Sequence, residues 1–312
     1  MRTRRSESSS GPVSAETEHQ SVLLDETIEA LDLKKGLTAV DATLGGAGHA
    51  AAIAARLGAT GTLVGFDADR AAIARATERL QKAAPRVILE HRNFRQLGAA
   101  LDALGIAFAD RFLFDLGWSS YQLAAGRGFS FQSDDPLVMT YADAPGEDAI
   151  TAGEIVNEWS EASLADVLYG WGGERYARRI AKAIVAARQE KPIETARQLA
   201  LVVDGAVPAA YRRGRTNPAT KTFQAIRIAA NDELGALTEA LDASRSHLAH
   251  GGRIAVITFH SLEDRLVKQA FRAWERGGAG VLGSKKPIGP SEKERAENPR
   301  ARSAKLRVFI KN

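Results

Sequence analysis

Four short apolar runs, each followed by a helical pattern, constrain this chain more than any other feature in it. "LTAVD" (37–41), "TLVGFD" (62–67), "RVILEH" (86–91) and "RFLFD" (111–115) are nearly continuous in apolar character. A strand buried on both faces requires that continuity, whereas a strand with one wet face alternates. Between the runs, segments at about 46–57, 69–83 and 96–104 carry helical spacing. The repeating unit is therefore strand, helix, parallel strand, and the chain is predicted to be α/β with a doubly wound sheet. A fifth strand, "RIAVITF" (253–259), follows a break at Gly251-Gly252, and "AKLRVFIKN" supplies a last one.

The fourth and fifth strands lie 138 positions apart, far beyond the dozen or so residues a crossover needs. A structureless loop of that length is implausible in a compact domain. A helical unit is therefore expected there, built from "ASLADVLYGW", "ERYARRIAKAIVAARQ" and "ETARQLALVVDGAV", with one helix over about 220–249 returning the chain to the sheet. The expected division is a disordered tail at 1–18, a sheet domain formed by 19–118 and 217–312, and an inserted helical domain at 119–216. No apolar run nears the roughly 20 residues that span a bilayer, and the basic, then polar, N-terminus has no signal-peptide apolar region. A cytoplasmic protein without a membrane partner is expected.

In an open α/β sheet, ligands bind beyond the carboxyl ends of the strands. Those ends carry Asp41, Asp67, Asn93-Phe94 and Asp115. Gly46-Ala47-Gly48-His49-Ala50-Ala51 satisfies G-x-G-x-x-A by the letter, and Asp67 suits a ribose in either a nicotinamide or an S-adenosylmethionine site. Asp41 separates the two. A pyrophosphate seated on the helix N-terminus would be repelled by a carboxylate at the adjoining strand end. S-adenosylmethionine has no phosphate and presents a cationic sulfonium and amino group, which acids attract. Asp41 as a plain turn cap is the bland alternative. No Gly-Lys-Ser/Thr follows the glycines, so a P-loop is excluded.

The chain has no cysteine, which removes Cys-ligated metals and thiolate nucleophiles; no other pattern calls for a metal. Methylation at carbon-5 of a pyrimidine, which ordinarily uses such a thiolate, is disfavoured. An exocyclic amine or a ribose hydroxyl can attack the methyl group directly once oriented and desolvated. Asp115 is expected to orient that group, with Ser119 or Ser120 and His260 as further candidates, and Trp118 is placed to stack on a flipped base. Between Trp171 and Ala230 there are 12 Lys/Arg against 4 Asp/Glu. Arg175, Arg178, Arg179 and Lys182 are spaced to share one helical face, opposite Tyr176, Ile180 and Ile184. A basic stripe backed by an apolar one favours a polyanion partner over a merely solvated face. A nicotinamide-dependent oxidoreductase and a non-catalytic RNA-binding assembly factor remain the alternatives.

"DATLGGAGH", "HRNFRQL", "DLGWSSYQL", "RGFSF", "ERYARRIAKAIV", "TKTFQAIRIAANDEL", "GGRIAVITFHSLEDRLVK" and "PSEKERAENPRARSAKLRV" occur in this order. With them the chain, from residue 19 to its end, closely resembles the bacterial RsmH/MraW family. The resemblance implies a class I (Rossmann-like) methyltransferase sheet with an inserted helical substrate-recognition domain. It also implies S-adenosylmethionine as methyl donor and the exocyclic N4 amine of a cytidine in small-subunit (16S) ribosomal RNA, near the decoding centre, as target within the ribosomal particle. Whether the enzyme is a homodimer is left open. The cofactor contacts it implies are Ala47, Gly48, His49, Asp67, Phe94, Asp115 and Gln122. The sequence departs from the family pattern at Ala47, where glycine is usual, at Trp118 and Tyr121, and at Val138 and Thr140, where an acid and an arginine are usual. Trp118 and Tyr121 would then share in positioning the RNA.

Overall fold

A computed structural model describes residues 20–117, 120–143, 149–214 and 216–312. The expected tail, Trp118 and Ser119 lie outside the described residues. Among the described residues, seven strands form one sheet in the order β3-β2-β1-β4-β5-β7-β6. They are β1 (Thr38–Asp41), β2 (Thr62–Asp67), β3 (Arg86–His91), β4 (Ala109–Asp115), β5 (Leu248–Thr258), β6 (Gly280–Leu282) and β7 (Lys305–Lys311). The first five are mutually parallel, and β7 runs antiparallel between β5 and β6. The α/β sheet read from the apolar runs is therefore present, with its order reversing at β1.

Alternate residues of a strand face opposite sides. Phe112 and Phe114 of β4 enter one core layer and Leu113 the other. The Leu113 layer packs under α1 (Leu24–Leu31), α2 (Gly48–Leu57) and α3 (Arg70–Leu80). The Phe112/Phe114 layer packs under α4 (Leu97–Ala103), α12 (Glu233–Ser246) and α13 (Ser261–Arg276).

The described stretch between β4 and β5 is largely helical. It holds α5 (Ser120–Ala124), α6 (Ala152–Glu158), α7 (Glu161–Gly170), α8 (Ala177–Glu190), α9 (Ala196–Ala206), α10 (Ala209–Arg212) and α11 (Ala219–Asn231). Thr151 with Glu154 and Thr195 with Gln198 form reciprocal capping boxes, which satisfy orphan N–H groups and fix where α6 and α9 start. A separate core joins Leu164, Leu168, Ile180, Ile184, Leu199 and Phe223. Phe223 belongs to α11, which thus packs with the inserted helices although it lies beyond residue 217. Past α13, α14 (Glu292–Glu297) precedes β7.

Three local expectations are corrected. Gly251-Gly252 lies within β5, where the β4–β5 register shifts near Ala109 and Gly251 takes φ +70°; a bulge lets the strand continue through a residue pair that otherwise reads as a break. The single helix over 220–249 is two, divided at Asp232, whose left-handed φ of 42° ends α11 and begins α12. Arg175 precedes α8, which starts at Ala177, with Tyr176 as its N-cap. Its guanidinium lies over the rings of Tyr176 (4.8 Å) and Tyr211 (4.7 Å). Arg178, Arg179 and Lys182 remain as the exposed basic face of α8, with Ile180 and Ile184 buried behind it.

Polar ties hold the start of the insert to the sheet. The buried Arg127 donates from Nη2 to Asp69 Oδ2 at 3.0 Å. Tyr141 Oη donates to Glu233 Oε1 at 3.0 Å, and Asn231 bridges Tyr141 N–H (2.8 Å) and the Met139 carbonyl (2.7 Å). Thr140 is buried and Val138 half-buried in this segment.

Candidate functional site

The carboxyl ends of β1, β2 and β4 bring three aspartates to one edge of the sheet. Asp41 pairs in register with Gly65 and Leu113, so it stands beside the last turns of both neighbouring strands. Its Oδ1 accepts the Thr43 N–H at 3.1 Å, while Oδ2 is buried without a hydrogen-bond partner among the described residues. Burial pushes this carboxyl up to about 6, against the opposing pull of His49. Asp67 accepts the Gly45 N–H (2.8 Å) and the Asp69 N–H (2.9 Å), and burial raises its pKa despite those bonds. The Asp115 backbone N–H donates to Thr43 Oγ1 at 2.7 Å, and its Oδ1 is a second buried carboxylate oxygen without a hydrogen-bond partner among the described residues.

Between β1 and α2 the chain turns through Ala47, which has φ 57° and ψ 26°. A left-handed alanine costs roughly 1–2 kcal/mol, and Ala47 is fully buried, so packing holds it there. At Gly48 a Cβ would lie 1.9 Å from Ser21 Oγ, so a side chain there would need the Ser21 hydroxyl to turn away. His49 is buried, with Nε2 3.1 Å from the Val22 carbonyl and Nδ1 3.4 Å from Asp115 Oδ2. Burial favours the neutral ring, but the hydrogen bond and charge of Asp115 and the charge of Asp41 outweigh it, and the pKa stands above 6.5.

Two cavities that share lining residues lie at this edge. The smaller, about 90 Å³, is lined by Asp67, Asn93, Phe94, Asp115, Gln122 and Tyr141 among others. Phe94 begins a 3₁₀ turn capped by Asn93 and stands edge-on to Phe114, with ring centroids 6.0 Å apart. The larger, about 340 Å³, has aromatic walls from Phe129, Phe131, Phe223 and Phe259 and polar groups from Arg227 and His260. Asp115, Leu116, Gly117 and Glu263 border both. At Gly117 a Cβ would approach the Phe259 ring to 2.7 Å, so glycine lets that ring reach the junction.

Of the residues singled out from sequence, Asp67, Phe94, Asp115 and Gln122 meet around the smaller cavity, and His260 joins Asp115 at the larger. Ala47, Gly48 and His49 line neither; they shape the loop behind Asp115. Ser119 and Trp118 lie outside the described residues. The Tyr121 ring is covered by the Arg75 guanidinium at 4.1 Å. His260 is the N-cap of α13: its Nδ1 accepts the Glu263 N–H at 3.4 Å, and Glu263 Oε2 accepts the His260 N–H at 3.2 Å. The aromatic walls and Arg227 were not read as site residues from sequence, because Phe129, Phe131, Phe223 and Phe259 come from three distant segments whose apolar character equally suits a core.

The donor set suits S-adenosylmethionine. Two buried carboxylate oxygens without partners among the described residues, on Asp41 and Asp115, would each cost on the order of 1–3 kcal/mol or more if left so. A cationic ligand offsets that cost and an anionic one adds to it, which disfavours a dinucleotide pyrophosphate here. Asp67 and Phe94 line the smaller cavity with a carboxylate and an aromatic ring.

Comparison with known proteins gives the following. The MraW methylase family matches residues 16–312. A protein of Citrifermentans bemidjiense is 47% identical, over 94% of this chain and 98% of its own length. One of Paenibacillus sp. is 46% identical over 94% and 99%, and one of Symbiobacterium thermophilum 45% over 94% and 96%. Each of the three is called ribosomal RNA small subunit methyltransferase H.

Proposed function

The chain belongs to the MraW methylase family, and on that premise we propose that it transfers a methyl group from S-adenosylmethionine to the exocyclic N4 amine of a cytidine in small-subunit ribosomal RNA. The observation that carries the reading is Asp115, which borders both cavities and has a buried carboxylate oxygen without a partner among the described residues. Bound S-adenosylmethionine supplies an electrophilic methyl group on a cationic sulfur. Asp67, Phe94 and Gln122 would hold its nucleoside part, and Asp41 and Asp115 complement its positive charge. Asp115 also accepts a hydrogen bond from the target amine and so fixes the direction of the nitrogen lone pair. The phenylalanines of the larger cavity stack on a base turned out of its helix.

The substrate is presented within the ribosomal particle, in the cytoplasm, and the exposed Arg178, Arg179 and Lys182 meet its phosphates. No helix of the described residues is long and apolar enough to cross a membrane. His260 and Ser119 are kept as secondary catalytic candidates. Calorimetric titration tests the cofactor assignment. S-adenosylmethionine should bind and NAD should not, and Asp115→Asn should weaken binding while the fold persists. Binding of NAD alone would sink the proposal.

A further inference from the structure

Helix α11 presents Thr220, Phe223, Gln224 and Arg227 to the larger cavity, an i, i+3, i+4, i+7 set on one helical face. Arg227 is the cation of that face. Its Nε lies 2.8 Å from Glu233 Oε1 and its Nη2 3.1 Å from Glu233 Oε2, a two-point grip across the Asp232 break between α11 and α12. The Tyr141 hydroxyl donates to the same Glu233 oxygen. Both side chains of the pair are about nine-tenths buried. Nη1 has no partner among the described residues, and Arg227 lines the cavity, so Nη1 is the donor left for a bound molecule.

A buried ion pair is a poor source of stability, since two well-packed apolar side chains commonly do as well. What the pair provides is a planar donor held in one orientation by a carboxylate. Asp115 supplies an acceptor in the same cavity. An acceptor for an amine, with a separate cationic donor, complements cytosine, whose pairing edge carries the N4 amine followed by the acceptors N3 and O2. Uracil presents the reverse at its first two positions, an O4 acceptor and an N3–H donor. We propose that Arg227 is a specificity-determining residue that donates from Nη1 to the acceptor edge (N3 and O2) of the target base, with Glu233 as its positioning residue. The inference rests on the cytidine reading above and adds to it the group that tells cytosine from uracil.

The test uses small subunits reconstituted with cytidine, 3-deazacytidine or 2-thiocytidine at the target position. The analogues remove the N3 acceptor or weaken the one at O2. Initial rates of methyl transfer are compared for the intact enzyme, Arg227→Lys and Arg227→Gln, with melting temperature and S-adenosylmethionine binding as checks on folding. Any intrinsic change in amine reactivity is common to all three enzymes and cancels in the ratio of ratios. We expect the unaltered enzyme to lose at least 10-fold on one analogue. Both variants should be slowed at least 10-fold on cytidine, and their cytidine-to-analogue rate ratio should be at least 3-fold smaller than the parent's. Variants that keep the parent's analogue ratio would overturn the role of Arg227, as would a parent enzyme indifferent to both analogues; neither result needs more than one variant to fold. A parent enzyme that methylates no cytidine would overturn the underlying reading as well, and the cytidine arm alone identifies that case.

Discussion

At the scale of single residues, the charge state of Asp41 links stability to ligand binding. Its carboxyl is pushed up to about 6 in the folded chain, from an ordinary value of 3.8. Below pH 4 the group is protonated whether folded or not and costs nothing. As pH rises through the folded pKa the buried charge must form, and stability falls by about 3 kcal/mol between pH 4 and 6. Asp41→Asn should remove that decline and melt higher than the parent above pH 6. Because a cationic ligand favours the ionised form, affinity for S-adenosylmethionine should drop about 5-fold between pH 6 and pH 5. The variant should bind more weakly at pH 8 and lose the part of the profile below pH 6, while the part due to His49, which titrates above 6.5, persists. An unchanged profile in the variant would separate Asp41 from the ligand. Ala47 gives a stability test. Ala47→Gly relieves the left-handed backbone but loses a buried methyl and adds unfolded-state entropy, so its melting shift should stay within about 1 kcal/mol. Ala47→Val should cost about 3 kcal/mol, from strain at φ 57° and overpacking.

At the scale of elements, the strands were legible because both faces of the sheet are covered, so each wrote itself as an unbroken apolar run. Helices α8 and α9 were legible from their amphipathic spacing. The break at Asp232 was not: no Gly or Pro marks it, and its left-handed turn is stabilised from outside by Arg95, which pairs with the Asp232 carboxylate. Strand β6 is three residues long, too short for any periodicity. On α8, burial of Ile180 and Ile184 leaves Arg178, Arg179 and Lys182 outward. Replacing these three by glutamate should weaken binding to small subunits at least 10-fold at low salt. It should also reduce the slope of log K against log[salt] by about 2–3, with S-adenosylmethionine binding unchanged. An unaltered slope in filter-binding measurements would place the RNA on another face.

At the scale of the whole molecule, the smaller cavity was foreseeable and the larger was not. Asp67, Phe94 and Asp115 sit at carboxyl ends of strands or just beyond, positions that the α/β architecture itself assigns to ligands. The larger cavity is assembled from the segment after β4, one face of α11, the start of α13 and residues 299–303, whose proximity only the folded insert creates. The ties Arg127–Asp69 and Tyr141–Glu233 bring the two halves together around Asp115. Joining them is what turns a methyl-donor site into an enzyme for a base. This role is tested most directly by incubating small subunits from a strain lacking the enzyme with the purified protein and methyl-labelled S-adenosylmethionine, then resolving the ribosomal RNA nucleosides by mass spectrometry. Label should appear in N4-methylated cytidine and be lost with Asp115→Asn. Label in another nucleoside, or none from a protein that binds the methyl donor, would contradict that role.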